Sequence, residues 1–166
     1  MTSTTLNTTI GLGRANHVGI TVSDLDASIR FYEALTGTKI ENVDAIGGAR
    51  MAAVQGLDKV LIRYANVHLE NLNLDLLQYD EPKPGRARYD NGDVGAMHLC
   101  FEVDDLQNVY ERMKAAGVTF SGEPITFQDE DGLKSGQGTT VAYFEDPDGT
   151  HLELIQPRGL LISTEN

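Results

Sequence analysis

One cysteine, Cys100, stands in 166 residues, so no intrachain disulfide staples this fold. Basic residues are also scarce: 13 Lys and Arg against 25 Asp and Glu give a formal net charge of −12. Such a chain lacks the basic surface that nucleic-acid phosphates require. It is equally ill-suited to anionic membrane surfaces, and its excess charge favours solubility. No apolar run approaches the ~20 residues of a membrane span. The opening stretch MTSTTLNTTIGLG has neither a basic n-region nor an apolar h-region. A secretory signal is therefore not expected, and a cytoplasmic location is. What is present, 40% hydrophobic residues, suffices for one globular domain or two small fused modules sharing a core.

The chain repeats itself at half length. HVGITVSDLDASIRFYEALTG begins at His17, and HLCFEVDDLQNVYERMKAAG begins 81 positions later at His98. At that offset His17, Val22, Asp24, Leu25 and Ala34 meet identical residues, and such self-similarity governs how the whole chain is read. Each copy opens with period-2 alternation, the mark of a half-buried strand: Val18, Ile20 and Val22 in one, Leu99, Phe101 and Val103 in the other. Each strand runs into acidic residues whose short side chains can cap a helix, Ser23, Asp24 or Asp26 and then Asp104 or Asp105. Helical spacing follows, Leu25/Ile29/Tyr32 and Leu106/Val109/Tyr110/Met113. Gly37 and Gly117 then supply left-handed stops.

The remaining segments fix the organisation. Residues 1–15 read as a polar, partly disordered tail and residues 16–80 as a first βαβββ module. The linker, 81–95, is rich in Pro, Gly and charge. Residues 96–157 read as a second βαβββ module and 158–166 as a C-terminal tail. Within module one, DAIGGARMAAVQGL reads as a short helix or an irregular crossover, ahead of strands KVLIRYANVH and LNLDLLQY. Within module two, TFQDEDGLKSGQGTT is a long polar loop, either a functional lid or a surface insertion. TVAYFEDPDGTHLELIQP is a hairpin around an Asp-Pro-Asp-Gly turn. The expected fold class is α+β.

The segments HLCFEVDDL and YFEDPDGTHLELIQP, and the repeat that frames them, resemble the vicinal oxygen chelate superfamily. That family includes glyoxalase I, methylmalonyl-CoA epimerase, extradiol dioxygenases and bleomycin-resistance proteins. The resemblance covers residues 14–157. It implies two tandem βαβββ modules forming a cupped mixed sheet around one divalent metal ion per cup, built within one chain or across a homodimer. The homodimer is the expected form here. The family's metal pattern falls on His17, Asp75, His98 and Glu153, with Asp at 75 where Glu or Gln is usual.

Strand arithmetic agrees with that pattern. Each module places an imidazole on its opening strand and a carboxylate on its closing one. In LNLDLLQY the leucines at 72, 74 and 76 share one face, leaving Asn73, Asp75, Leu77 and Tyr79 on the other. In HLELIQ, Leu152 and Leu154 turn inward, leaving His151, Glu153 and Ile155 opposite. All four polar residues therefore lie on the face not covered by helices. Two neutral imidazoles and two carboxylates suit Zn, Ni, Co, Fe or Mn.

The resemblance implies a metal-dependent lyase or isomerase acting on a small oxygenated substrate through a metal-stabilised enolate, glyoxalase-like or epimerase-like. Glu153 is then the first choice of proton-transferring base and Asp75 the second. The alternatives are a non-haem iron dioxygenase of the extradiol type, using His17, His98 and Glu153, and a small-molecule binding or resistance protein. Arg14, Asn73 and Tyr79 are weaker candidates for substrate contacts. Cys100 reads as a buried small side chain, Tyr143 as a packing residue and His151 as a strand-surface residue. The acidic DD and EDPD pairs read as caps and turns.

Overall fold

The computed structural model describes residues 10–85, 88–132 and 134–161. The expectations for the tails therefore reach it only at residues 10–15 and 158–161. Of the linker, residues 86 and 87 lie outside the description.

In module one, β1 (His17–Thr21) leads into α1 (Leu25–Thr36), then β2 (Val43–Gly47), α2 (Ala49–Gln55), β3 (Leu61–His68) and β4 (Asn73–Glu81). In module two, β5 (His98–Glu102) leads into α3 (Leu106–Ala115), β6 (Ile125–Thr126), β7 (Thr140–Glu145) and β8 (His151–Gln156). The strands form two four-stranded mixed sheets, ordered β1-β4-β3-β2 and β5-β8-β7-β6. In each sheet the opening strand runs parallel to the closing one and the other neighbours are antiparallel. This is the α+β, twice-repeated architecture the sequence implied.

The repeat extends to details of helix capping. Asp24 Oδ1 accepts from Ala27 N at 3.0 Å, and Asp105 Oδ1 accepts from Asn108 N at 3.1 Å. Each closing strand also serves the helix of its own module. Gln78 Oε1 accepts from Leu25 N at 2.8 Å, and Gln156 Oε1 accepts from Leu106 N at 3.0 Å. Free N–H groups at both helix starts are thus satisfied by matched side chains. The ends differ. α1 stops on Gly37 at φ +74°, whereas α3 is capped by Ala116 in right-handed conformation and only the next residue, Gly117, turns left-handed at φ +90°.

Two strands were not located in the sequence. β2 is exposed along its whole length and β6 has only two residues, so neither carries the one-sided burial that makes a strand visible as alternation. The crossover DAIGGARMAAVQGL is resolved into the end of β2 and the α2 helix, which packs Ala52 and Met51 on Ile62, Tyr64, Leu77 and Tyr79. The long polar loop holds two single turns of 3₁₀ helix, Asp129–Asp131 and Lys134–Gly136.

Each sheet buries its helix-facing side. Leu74 and Leu76 lie under α1, while Leu152 and Leu154 lie under α3. Phe31, Leu35, Leu99 and Phe101 pack against both cores and weld the modules together. Two hydrogen bonds fix the joint. The wholly buried Tyr32 donates its hydroxyl to buried Asp146 Oδ2 at 3.2 Å, and Ser23 N donates to Asp148 Oδ2 at 2.7 Å. Asp146 Oδ1 also accepts from the backbones of Asp148 and Thr150 at 2.9 and 2.8 Å. The Asp-Pro-Asp-Gly turn thus organises itself and anchors the other module.

Candidate functional site

Opposite the helices, the two sheets present the faces that carry the titratable residues. In β4, Asn73 and Asp75 sit beside His17 and Gly19 of β1; in β8, His151 and Glu153 sit beside His98 and Cys100 of β5. This pairing brings His17 Nε2 to 3.6 Å from Asp75 Oδ2 and His98 Nε2 to 3.1 Å from Glu153 Oε2. Each module therefore assembles one imidazole and one carboxylate. Among the described residues no three His, Cys, Asp or Glu side chains converge closely enough to hold a metal ion, so the two pairs are separate half-sites within one chain.

The donor atoms suit a divalent cation. Asn16 Oδ1 lies 2.8 Å from His17 Nδ1 and accepts from it; in the tautomer with its hydrogen on Nδ1, the ring turns its Nε2 lone pair toward Asp75. Two acceptors then face each other, and the contact is attractive only with a proton or a cation between them. Two donors bound tetrahedrally at ~2.0–2.2 Å stand about 3.3–3.6 Å apart, and octahedral neighbours about 3.0 Å apart. The observed 3.6 and 3.1 Å fall at these spacings.

The surroundings of the two carboxylates differ. Asp75 accepts a hydrogen bond from Asn66 Nδ2 on β3 at 2.5 Å through Oδ1, leaving Oδ2 to face His17. Glu153 is the more buried, with 9% of its side chain exposed against 21% for Asp75. Its cross-strand neighbour is Tyr143 of β7, whose ring meets that of His98 edge-on at 5.5 Å. Loss of hydration and the facing Glu153 carboxylate push the Tyr143 phenol up to about 12. Tyr143 is thus part of this half-site and not packing alone. Cys100 corrects another expectation: as a residue it is exposed, not buried. Its thiol nevertheless stands against Glu153, and partial desolvation, then the carboxylate, push it up to about 12. A thiol so rarely ionised is a poor nucleophile at neutral pH.

The weaker candidates lie apart from these contacts. Arg14 is exposed in the segment before β1. Asn73 Oδ1 accepts from His68 Nδ1 at 2.8 Å, beside His17 in the register. Tyr79 is on the expected face but lies under α2, its hydroxyl donating to Gln55 Oε1 at 3.1 Å. His151 binds the linker, donating from Nε2 to the Tyr89 carbonyl at 2.6 Å. Asn66 and His68 escaped the sequence reading. The signal was available, because alternation along RYANVH sets both opposite buried Ala65 and Val67. Two hollows, of about 630 and 500 Å³, open at the seam between modules. Neither is lined by any of the four paired residues.

Comparison with known proteins accords with this architecture. Residues 14–154 match the family model described as the glyoxalase/bleomycin resistance protein/dioxygenase superfamily. A 2-epi-5-epi-valiolone epimerase of an Actinomyces species is 30% identical over 150 residues, covering 87% of this chain and 80% of that protein. An ethylmalonyl-CoA/methylmalonyl-CoA epimerase of Cereibacter sphaeroides is 30% identical over 116 residues, 68% of this chain and 79% of that one. A lactoylglutathione lyase of Arabidopsis thaliana is 30% identical over 84% of this chain, which spans 43% of that longer protein. Among solved structures, a glyoxalase family protein from Bacillus cereus superposes with a TM-score of 0.69 at 21% identity, over 95% of this chain and 100% of that one. No helix among the described residues is long and apolar enough to cross a membrane.

Proposed function

The chain belongs to the glyoxalase/bleomycin resistance protein/dioxygenase superfamily, and from that membership we propose that it is a divalent-metal-dependent isomerase of the epimerase type. Its reaction is removal and return of a proton on a carbon next to a carbonyl of a small oxygenated substrate. The observation that carries this reading is the matched pair of imidazole–carboxylate contacts, His17–Asp75 and His98–Glu153. The engagement of Asp75 favours a four-donor site over the three-donor site of a non-haem iron dioxygenase. A relative named as an epimerase matches over 150 residues and 87% of this chain; relatives named as lactoylglutathione lyases, of which this chain spans 92% and 90%, match at 30% and 28% identity, so a lyase acting through the same proton transfer is the second reading.

His17, Asp75, His98 and Glu153 would hold the ion. When bound, it supplies Lewis-acid polarisation of the substrate oxygens, worth several kcal/mol of developing charge. Glu153 is the proton-transferring group. Its side chain is one methylene longer than that of Asp75, and the edge-on rings of His98 and Tyr143 limit the water around it. Asp75, held by Asn66, stays in place as a ligand.

The half-sites belong to modules welded by the buried Tyr32–Asp146 contact. They meet most directly if module one of one copy faces module two of another, so the working form is a homodimer with two shared sites.

Solvent exchange tests the chemistry. The protein is loaded in turn with Co²⁺, Ni²⁺, Zn²⁺, Mn²⁺ or Fe²⁺ and incubated in D₂O with 2-epi-5-epi-valiolone and with methylmalonyl-CoA. The expected result is one deuterium incorporated at the epimerised carbon of one of these substrates. Consumption of O₂ with a catechol, or conversion of the hemithioacetal of glutathione and methylglyoxal without epimerisation, would replace this reading.

A further inference from the structure

We infer that Asn66 is a positioning residue that makes Asp75 a one-oxygen metal ligand. The inference rests on the metal-dependent reading above and adds to it how this chain accommodates an aspartate beside His17. An aspartate carboxylate turns freely about its last torsion, so either oxygen could face the site. The Asn66 amide removes that freedom. It lies directly across the antiparallel β3–β4 pair from Asp75 and donates to Oδ1, and a hydrogen bond to an ionised acceptor is stronger than one between neutral groups. Oδ2 alone is then left to point at His17 Nε2.

Backbone geometry holds the donor in turn. Asn66 lies between buried Ala65 and Val67 on a strand paired on both sides, so its side chain has one face available. Module two sets Tyr143 on the same rung opposite Glu153. The third strand of each module thus places a polar side chain against the carboxylate of the fourth, but only module one uses an amide. Partners behind a ligand typically change metal affinity ~10–100-fold when removed.

The experiment uses the full-length protein and Co²⁺ as probe, followed by its visible absorption and by the melting temperature of the metal-free form. Asn66→Leu keeps the volume and deletes the donor. The expected result is Co²⁺ affinity lowered ~10–100-fold with the metal-free melting temperature unchanged. A second variant, Asn66→Leu with Asp75→Glu, restores most of the affinity, because the longer carboxylate reaches the ion without help. Wild-type affinity in Asn66→Leu overturns the inference alone. So does a loss of affinity matched by a lower metal-free melting temperature and not rescued by Asp75→Glu, since Asn66 would then be merely structural. A wild-type protein that binds none of Co²⁺, Ni²⁺, Zn²⁺, Mn²⁺ and Fe²⁺ overturns the proposed function and this inference with it.

Discussion

Module one brings Asp75, pinned by an amide, to its histidine; module two brings Glu153, longer and more deeply buried, to its own. Where module two has Cys100 beside the carboxylate, module one has Gly19, and a Cβ there would come within 3.3 Å of Leu77 Cδ1. The duplicated frame is the same down to the glutamines that cap the helices. Beside the added α2 helix of module one and the long loop of module two, the divergence that bears on the paired residues lies in the side chains around the carboxylates. The two halves thus share one scaffold, and the proposed division of labour gives the pinned carboxylate the part of ligand and the longer, more buried one the part of proton carrier.

The largest test of that division compares the two carboxamide variants at saturating metal. Glu153→Gln should lower turnover by ~10²–10⁴-fold, the usual contribution of a positioned base. Asp75→Asn should act chiefly through metal affinity, lowered by at least the ~10–100-fold typical of losing a partner behind a ligand. Rates of solvent-deuterium incorporation, measured against metal concentration, separate the two. A greater loss of saturated rate in Asp75→Asn would reverse the assignment.

Metal removal asks whether both halves hold the same ion. An ion that binds only the folded protein at one hundred times its Kd stabilises it by about 2.7 kcal/mol. At ~2–4 °C per kcal/mol for a chain of this size, chelation should lower the melting temperature by about 5–10 °C. His17→Ala and His98→Ala should each abolish that sensitivity. If only one does, the halves do not share a site.

A smaller effect is expected at the joint between modules. Burial first, then the Asp146 carboxylate, raise the Tyr32 hydroxyl well above the ordinary tyrosine value of 10.0. The folded state thus keeps a proton that the unfolded chain gives up. The stabilisation is complete below pH 10 and is lost as pH rises beyond it. Tyr32→Phe should cost ~1 kcal/mol at pH 7 and flatten the decline above pH 10. Equal alkaline slopes in urea-denaturation series would show that the joint is not held this way.

The smallest effect is expected at Cys100, whose counterpart is a glycine. Cys100→Ala should change stability by less than ~0.5 kcal/mol. In the wild type, iodoacetamide labelling at pH 7 should be slow, because the thiolate is the reactive form and the thiol is pushed up to about 12.

Much of this was written in one dimension. The 81-residue repeat, the alternation that sets His17 and Asp75 on one face, and the Asp and Gly punctuation all depend on local rules of strand and helix. Other features were not. β2 and β6 lack one-sided burial and left no periodic signal. Cys100 was misjudged, and the Glu153 carboxylate facing the packed Tyr143 was missed, because alternation tells which face a residue occupies, and not how open that face is or what lies across the strand pair.

By itself, then, the sequence determined two βαβββ units and, in each, an imidazole and a carboxylate on the uncovered side of a sheet. The tertiary structure decided which atoms meet. Cross-strand register gave Asp75 its Asn66 and Glu153 its Tyr143, and the buried Tyr32–Asp146 contact fixed the modules so that the two half-sites stand apart. The physical reason is range. Alternation and capping act over a few residues, whereas Asp75 meets Asn66 across a sheet and Tyr32 meets Asp146 across 114 positions of chain.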